Sequence, residues 1–548
     1  MRTEQPHRNN YRTISRSLRC SIRMLIPRFT LPLGPSLALA WLWLFAPVVW
    51  MWPSWRSTSE MLVSALLFLF LLQWKITTRV AVIALVVTGC CFLGYFFAVR
   101  NVPDEYFWYA TLGSNPTEAW EYASSYRWPD LWRLLSWLLP ALAAACFLWR
   151  HAPILQSPWP RRLGLASLAI WLTWTGISMA KGYSLKTSIS RLERVYPQAL
   201  VQGFIQYQDN ATSLYQTPLV QPPTTPPMVD VLVVVLGESA SAHRWSLLGY
   251  AGAATNTPLV PLRSEMVVLP VTANGNNTAK TLPVLITGQR MSPIPDTGVL
   301  TYLDWAQAAG FRVESIGNQM AEGFFNVALR QRSHHFQQLQ NGGLDEALTA
   351  PFAHALAERA KSPLLITLHM YGSHPRVAKR YPPQHAYWED PYDNSIRYTS
   401  VLLSDWIQRL RTLPNVRSAL LYISDHGQDF PVCGGSYSHG STRSAYEVPL
   451  MLWTNQALRD AAPDWWRSLQ QIQDKAVNAQ GIPRYNSLLM AQWLQTLLGQ
   501  PIAPDILPVT HSQHEMDNTA GAYPPAENHL TCNAWTDQVQ ALHPAAVR

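Results

Sequence analysis

The sequence predicts a two-part molecule: five apolar helices that cross a membrane, followed by an α/β domain with a mainly parallel sheet. Three observations carry this. Of 548 residues, 48% are hydrophobic and only 14% charged, against about 25% charged in an ordinary soluble chain. Long uncharged runs crowd the first 180 residues, with basic residues beside them on alternate sides. Beyond about residue 230, strand-like runs alternate with amphipathic helical ones, the pattern of a parallel sheet with crossover helices. Disorder, a coiled coil and a wholly soluble protein are thereby excluded.

The N-terminal segment, residues 1–32, holds Arg2, Arg8, Arg12, Arg16, Arg19, Arg23 and Arg28 against Glu4 as its one acid. It leads into Leu33–Trp52, about 20 residues without charge, enough to cross a bilayer core of ~30 Å. A cleaved signal peptide has a shorter apolar region and a small-residue cleavage site, so this run reads as a retained anchor. Further apolar runs follow at 61–74, 80–99, 131–149 and 163–180. If five helices alternate, the Arg-rich segment, Lys75, Arg79, Arg150, Arg161 and Arg162 share one side. The opposite side receives Asp104, Glu105, Glu118, Glu121 and Asp130 against Arg100 and Arg127. The positive-inside rule then puts the N-terminus in the cytoplasm and everything after about residue 181 outside. Tyr106, Phe107, Trp108, Trp120, Trp128 and Trp132 fit an interfacial aromatic belt. The net charge of +8 thus describes membrane anchoring. A nucleic-acid partner fits neither the spans nor the charge placement.

The predicted organisation is a basic N-terminus over 1–32, a five-span domain over 33–180, a linker over 181–229 and a catalytic domain over 230–548. The linker contains the stiff spacer Gln221-Pro-Pro-Thr-Thr-Pro-Pro-Met228. Strands are expected at Val229–Leu236, Met266–Thr272, Phe311–Ile316, Leu364–Met370, Ala419–Ser424 and Val448–Trp453. Helices are expected at 302–309, 344–361, 393–412 and 485–498. Of the cysteines, Cys433 and Cys532 fall on the outer side; they form either a disulfide or two independent thiols.

Ligands bind outside the carboxyl ends of strands in open α/β sheets, and chemistry-bearing residues stand at those ends here. The run to Leu236 ends in Gly237-Glu238-Ser239. The run to Ser424 ends in Asp425-His426-Gly427. His374 follows the strand at 364, and Ser438-His439-Gly440 precedes the one at 448. Singly, each reads as well as a turn or a loop histidine; together, a Glu, an Asp and a His form an O,N donor set that suits Zn²⁺ or Mn²⁺. In Thr272-Ala-Asn-Gly-Asn-Asn-Thr278-Ala-Lys-Thr281, a strand passes through a polar turn into a helix start. Thr278 there is either an N-cap or a hydroxyl at a phosphate-binding helix end, which a metal would convert to a nucleophile.

At these residues the chain resembles the membrane-bound phosphoethanolamine transferases of Gram-negative inner membranes, within the alkaline-phosphatase/sulfatase superfamily. The motifs are Val234-Val-Leu-Gly-Glu-Ser-Ala-Ser241 with Leu248-Gly-Tyr250, Asn277-Thr278, Leu368-His-Met-Tyr-Gly-Ser-His-Pro375 with Arg380-Tyr-Pro382, Tyr392-Asp-Asn394, Tyr422-Ile-Ser-Asp-His-Gly427, and Ser438-His-Gly440 with Val448-Pro449. The resemblance implies a zinc site of Glu238, Thr278, Asp425 and His426, with Thr278 as nucleophile. It implies that His374 and His439 lie near the phosphate and an optional second zinc, and that Asn318 contacts substrate. It further implies a phosphatidylethanolamine donor, an envelope glycan or lipopolysaccharide acceptor, and a catalytic domain in the periplasm. Asn276-Asn277 stands where lipid A-modifying members often have Cys-Gly, which argues against a lipid A acceptor and keeps Thr281 as a second candidate nucleophile. The sulfatase Cys/Ser-x-Pro-x-Arg motif is absent. A phosphoglycerol transferase drawing on phosphatidylglycerol is the alternative, since it shares metal, nucleophile and topology. A non-catalytic sensor that keeps the fold is disfavoured by the intact Glu238/Thr278/Asp425/His426 set.

Overall fold

The computed structural model describes residues 33–501 apart from 52, 100–102, 114–118, 121–122, 124–125, 152–157, 183–195, 215, 217–218, 290–297, 320–323, 340–342, 360–362, 432–436, 441 and 479–480. The expected basic N-terminus and both Cys433 and Cys532 lie outside the described residues.

Among the described residues, the N-terminal part contains the helices α1 (Leu33–Leu44), α2 (Pro47–Met51), α3 (Trp55–Leu67, continued by a 3₁₀ turn over Phe68–Gln73), α4 (Lys75–Val99), α5 (Glu105–Gly113), α6 (Trp128–His151), α7 (Pro158–Ala180) and α8 (Gln198–Leu214). Among the described residues, three helices are long and apolar enough to cross a membrane: Lys75–Val99, Trp128–His151 and Arg161–Ala180. The first two expected spans appear as shorter apolar helices, Gly34–Leu44 and Ser57–Gln73. The break in the first falls at Pro47, which lacks the N–H that would continue the ladder. Outward-facing Ile76, Val80, Ile83 and Val87 on α4 and Leu139 and Leu142 on α6 leave large apolar side chains uncovered, as lipid-facing surfaces require. Between the helices, Trp43 and Trp137 each donate an indole N–H to the other's carbonyl, so neither buried polar group is stranded.

The second part runs β1 (Val231–Gly237), β2 (Met266–Thr272), α9 (Thr278–Thr287), α10 (Tyr302–Ala308), β3 (Arg312–Gly317), α11 (Phe324–Arg332), β4 (His335–Gln338), α12 (Thr349–Ala357), β5 (Leu364–His369), α13 (Pro391–Arg411), β6 (Ser418–Ser424), α14 (Arg443–Tyr446), β7 (Glu447–Thr454), α15 (Gln456–Ala461), α16 (Pro463–Asp474) and α17 (Leu489–Leu497). One sheet has the order β2-β7-β6-β1-β5-β3-β4. Neighbours from β6 through β4 pair in parallel; β7 is antiparallel to both β6 and β2. All six expected strands are present within two residues of their predicted ends, and the sheet is mixed through β7 alone among them. β4 was not expected: His335-Phe-Gln-Gln338 is short, with no buried residue, so it carries no hydrophobic signal. The helix expected at 344–361 is a 3₁₀ turn over Asp345–Leu348 followed by α12.

Every residue of β1 is buried, which is why it reads as a continuous apolar run rather than an alternating one. Its alternate residues feed two cores. Leu232, Val234 and Leu236 pack beneath α9, α10 and α17; Val231, Val233 and Val235 pack beneath α12 and α13. The result is a three-layer sandwich. The ends of β1, β2, β3, β5 and β6 and the start of β7 share one edge of the sheet.

Candidate active site

At that edge β1 ends in a turn that admits no side chain at Gly237, where a Cβ would come within 2.5 Å of the Tyr422 hydroxyl. Ser239 then takes a left-handed backbone, φ 58°, uncommon for a non-glycine residue. The Tyr392 hydroxyl holds it there, donating to the Ser239 carbonyl at 2.5 Å and accepting from the Ser241 N–H at 2.8 Å. Glu238 sits between, fully buried.

β6 delivers Asp425 and His426 beside it. Asp425 Oδ1 accepts from the backbone N–H of Ser239 (3.0 Å) and of His426 (2.7 Å). Its other oxygen, Oδ2, is buried and has no hydrogen-bond partner among the described residues. His426 Nδ1 lies 2.7 Å from the Gly427 carbonyl, which can only accept, so Nδ1 carries a proton and Nε2 faces the acids. That Nε2 lies 3.3 Å from Glu238 Oε1 and 3.5 Å from Asp425 Oδ2.

Thr278 completes the group. It is the first residue of α9, and the helix is capped by Asn277, whose side chain accepts from the Lys280 N–H. The Thr278 hydroxyl donates to Glu238 Oε2 at 3.1 Å and lies 3.3 Å from His426 Nε2. Glu238, Asp425 and His426 are buried while Thr278 is only partly so, so the hydroxyl stands at the mouth of an enclosed donor set. Thr281 is elsewhere: its hydroxyl donates back to the Asn277 carbonyl at 3.0 Å, inside its own helix.

The electrostatics follow from enclosing two carboxylates together. Burial, then the Glu238 charge, pushes Asp425 up to about 7. Burial also works against Glu238 ionising, but bonding to His426 and the charges of His426 and His374 hold it well below the usual carboxylate range. His426 is raised to about 9: burial opposes its charge, and the Asp425 and Glu238 carboxylates outweigh that. Glu238, Asp425 and His426 can place one ligand atom each within 4.8 Å of one another. An orphan carboxylate oxygen, a second carboxylate and an imidazole aimed at one point fit a divalent cation, which repays their desolvation as no neutral ligand would.

His374 and His439 flank this centre, both buried. The His439 ring lies 4.7 Å from that of His426; burial first, then the His426 charge, pushes it well below the ordinary imidazole value. His374 stands on a loop that folds over Glu238: the Ser373 N–H donates to the Glu238 carbonyl, and Gly372, at φ 53°, leaves no room for a Cβ, which would lie 2.4 Å from that oxygen. Asp345 fixes the loop, accepting from the Tyr371 and Gly372 N–H groups and from the Asn318 amide. Asn318 is therefore buried against Asp345 at the end of β3, separated from β1 by β5, and its Oδ1 has no hydrogen-bond partner among the described residues. Asp345 carries no sequence signal, because two backbone amides and the Asn318 side chain are brought to it only by the fold.

Comparison with known proteins agrees with this architecture. Residues 230–495 match the sulfatase family. The chain is 28% identical over 252 residues to the putative transferase YhbX of Escherichia coli K12, covering 42% of this chain and 44% of that protein. It is 27% identical over 457 residues to the phosphoethanolamine transferase CptA of Salmonella typhimurium, covering 72% and 77%. The match to YhbX thus spans less than half of that relative's length. The integral membrane lipooligosaccharide phosphoethanolamine transferase A of Neisseria meningitidis shares the fold, with a TM-score of 0.60 at 18% identity over 89% of this chain and 98% of that one.

Proposed function

From a chain that carries a sulfatase-family domain over residues 230–495 and has named phosphoethanolamine transferases among its relatives, we infer a membrane-anchored transferase. It moves phosphoethanolamine from phosphatidylethanolamine to a hydroxyl or phosphate of an envelope glycan or lipopolysaccharide, through a phospho-threonine. The observation that carries this reading is the Thr278 hydroxyl at a helix N-terminus, in hydrogen-bond reach of both Glu238 and His426.

Glu238, Thr278, Asp425 and His426 would hold a zinc ion, whose charge lowers the pKa of a hydroxyl and neutralises a phosphoryl group. Glu238 orients the Thr278 hydroxyl, and the first turn of α9 turns its positive dipole end toward the phosphate. Thr278 Oγ1 bonds to the donor phosphorus as the bond to the diacylglycerol oxygen breaks, and that oxygen leaves with a proton. An acceptor oxygen then bonds to the same phosphorus, its proton is taken up, and Thr278 is released. His374 and His439 border the site and serve these two proton transfers. The membrane helices keep the site beside its lipid donor, which raises effective concentration, with the catalytic domain on the periplasmic face of the inner membrane.

The test is headgroup-labelled donor lipid supplied to the full chain in vesicles, with envelope glycans and lipopolysaccharide as acceptors. Label from the ethanolamine headgroup should appear in the acceptor fraction. Transfer from a glycerol headgroup instead would replace this reading by phosphoglycerol transfer.

A further inference from the structure

Two side chains of the outer domain, Asn276 and Lys280, stand two residues before and two residues after Thr278, and both reach the membrane part of the chain. The Asn276 amide is fully buried and donates to the Val99 carbonyl at the end of α4 (2.7 Å) and to the Gly440 carbonyl (2.6 Å). One amide therefore joins the last turn of a membrane helix, the turn before Thr278 and the loop that carries His439. Lys280 Nζ lies 3.2 Å from Asp104 Oδ2 and 5.6 Å from the centre of the Tyr106 ring. Asp104 Oδ1 in turn accepts from the Tyr106 N–H, fixing the start of α5.

A lysine is poorly placed in the first turn of a helix, where the dipole favours anions, and a buried ammonium is costly without a partner. Lys280 is 3% exposed. Its side chain also fills the inside of the turn: a Cβ on Gly275 would come within 2.7 Å of Lys280 Cβ. The segment it binds is itself immobilised from behind. A Cβ on Gly203 of α8 would lie 2.5 Å from the Asp104 carbonyl, and the Trp108 indole donates to the Leu200 carbonyl of α8 at 2.8 Å.

We propose that the Val99 carbonyl, at the end of α4, and Asp104, just before α5, are a positioning clamp for the nucleophile turn, holding Thr278 in register with Glu238, Asp425 and His426 from the membrane side. The clamp rests on the reading of Thr278 as nucleophile. Misplacing a reacting group by about 1 Å costs on the order of 10²-fold in rate, so a contact two residues away is close enough to matter.

The test is Asp104→Asn in the full chain, in lipid nanodiscs. Turnover should fall 10- to 100-fold with the KM for donor lipid within twofold of the unmodified chain. Metal content should be unchanged, and the amides of 276–281 should exchange faster while those of β1 and β6 do not. Asp104→Glu should recover part of the turnover. Unchanged turnover with unchanged exchange at 276–281 overturns the clamp. If Asp104→Asn loses protection in β1 and β6 as well, the double variant Asp104→Asn/Lys280→Met, which buries no unpaired charge, decides by the same readings: turnover equal to the unmodified chain overturns the proposal. Thr278→Ala in the same assay separates the two ideas, since full turnover there removes the nucleophile reading while leaving the exchange result intact.

Discussion

Thr278 and Thr281 lie one helical turn apart, and their hydroxyls do opposite things. The first points out of the helix to Glu238 and His426; the second is spent on the Asn277 carbonyl. Thr281→Val should therefore keep turnover within about threefold and cost about 1 kcal/mol of stability, the usual worth of one internal hydrogen bond, read by thermal unfolding and transfer assay. A loss of turnover on the scale of a missing nucleophile would return Thr281 to the role that the sequence left open to it. At this scale Glu238, Asp425 and His426 are legible because each stands at the end of an apolar run, and Thr278 because a polar turn leads into a helix there. Asp345, Lys280 and Asp104 were not. Asp104 sits in an acid-rich loop whose charges had a sufficient reason in topology, and only the fold brings it to Lys280.

The elements that set the site do so through close approach. The loop after β5 passes so near the Glu238 backbone that Gly372 has both a left-handed φ and no space for a methyl group. Gly372→Ala should destabilise the fold by about 1–3 kcal/mol and reduce metal retention, because relief of the clash must displace Glu238. Calorimetry with metal analysis reads both; a variant with native stability and full metal would contradict this account of the loop. Strand existence was legible from buried apolar runs, since both faces of this sheet are covered. The direction of β7 was not, because a run such as Val448–Trp453 carries the same pattern in either orientation. The break of the 344–361 helix has its signal in Pro351, whose missing N–H cannot bond back into the turn over Asp345–Leu348.

Across the whole molecule, the excess of basic residues lies in the first 180 residues, so the proposed handling of a phosphate would rest on the centre at the sheet edge. Two enclosed carboxylates and an imidazole gain most from a cation. Chelation of the purified full chain should abolish transfer and lower the unfolding temperature of the outer domain, and zinc should restore both. A ligand at 100 times its Kd stabilises by about 2.7 kcal/mol. Full activity after complete metal removal would exclude a metal role. The helices long enough to span are legible from apolar length and the charges beside them; the shorter first two follow from Pro47 and from the 3₁₀ continuation of α3, which hydropathy does not register.

Mass spectrometry of the full chain trapped with phosphatidylethanolamine would read a covalent phospho-threonine at its site. Phosphoethanolamine is expected on the peptide containing Thr278, at Thr278 itself, with no adduct in Thr278→Ala. An adduct on a peptide lacking Thr278, or normal turnover by Thr278→Ala, would contradict a phospho-threonine there.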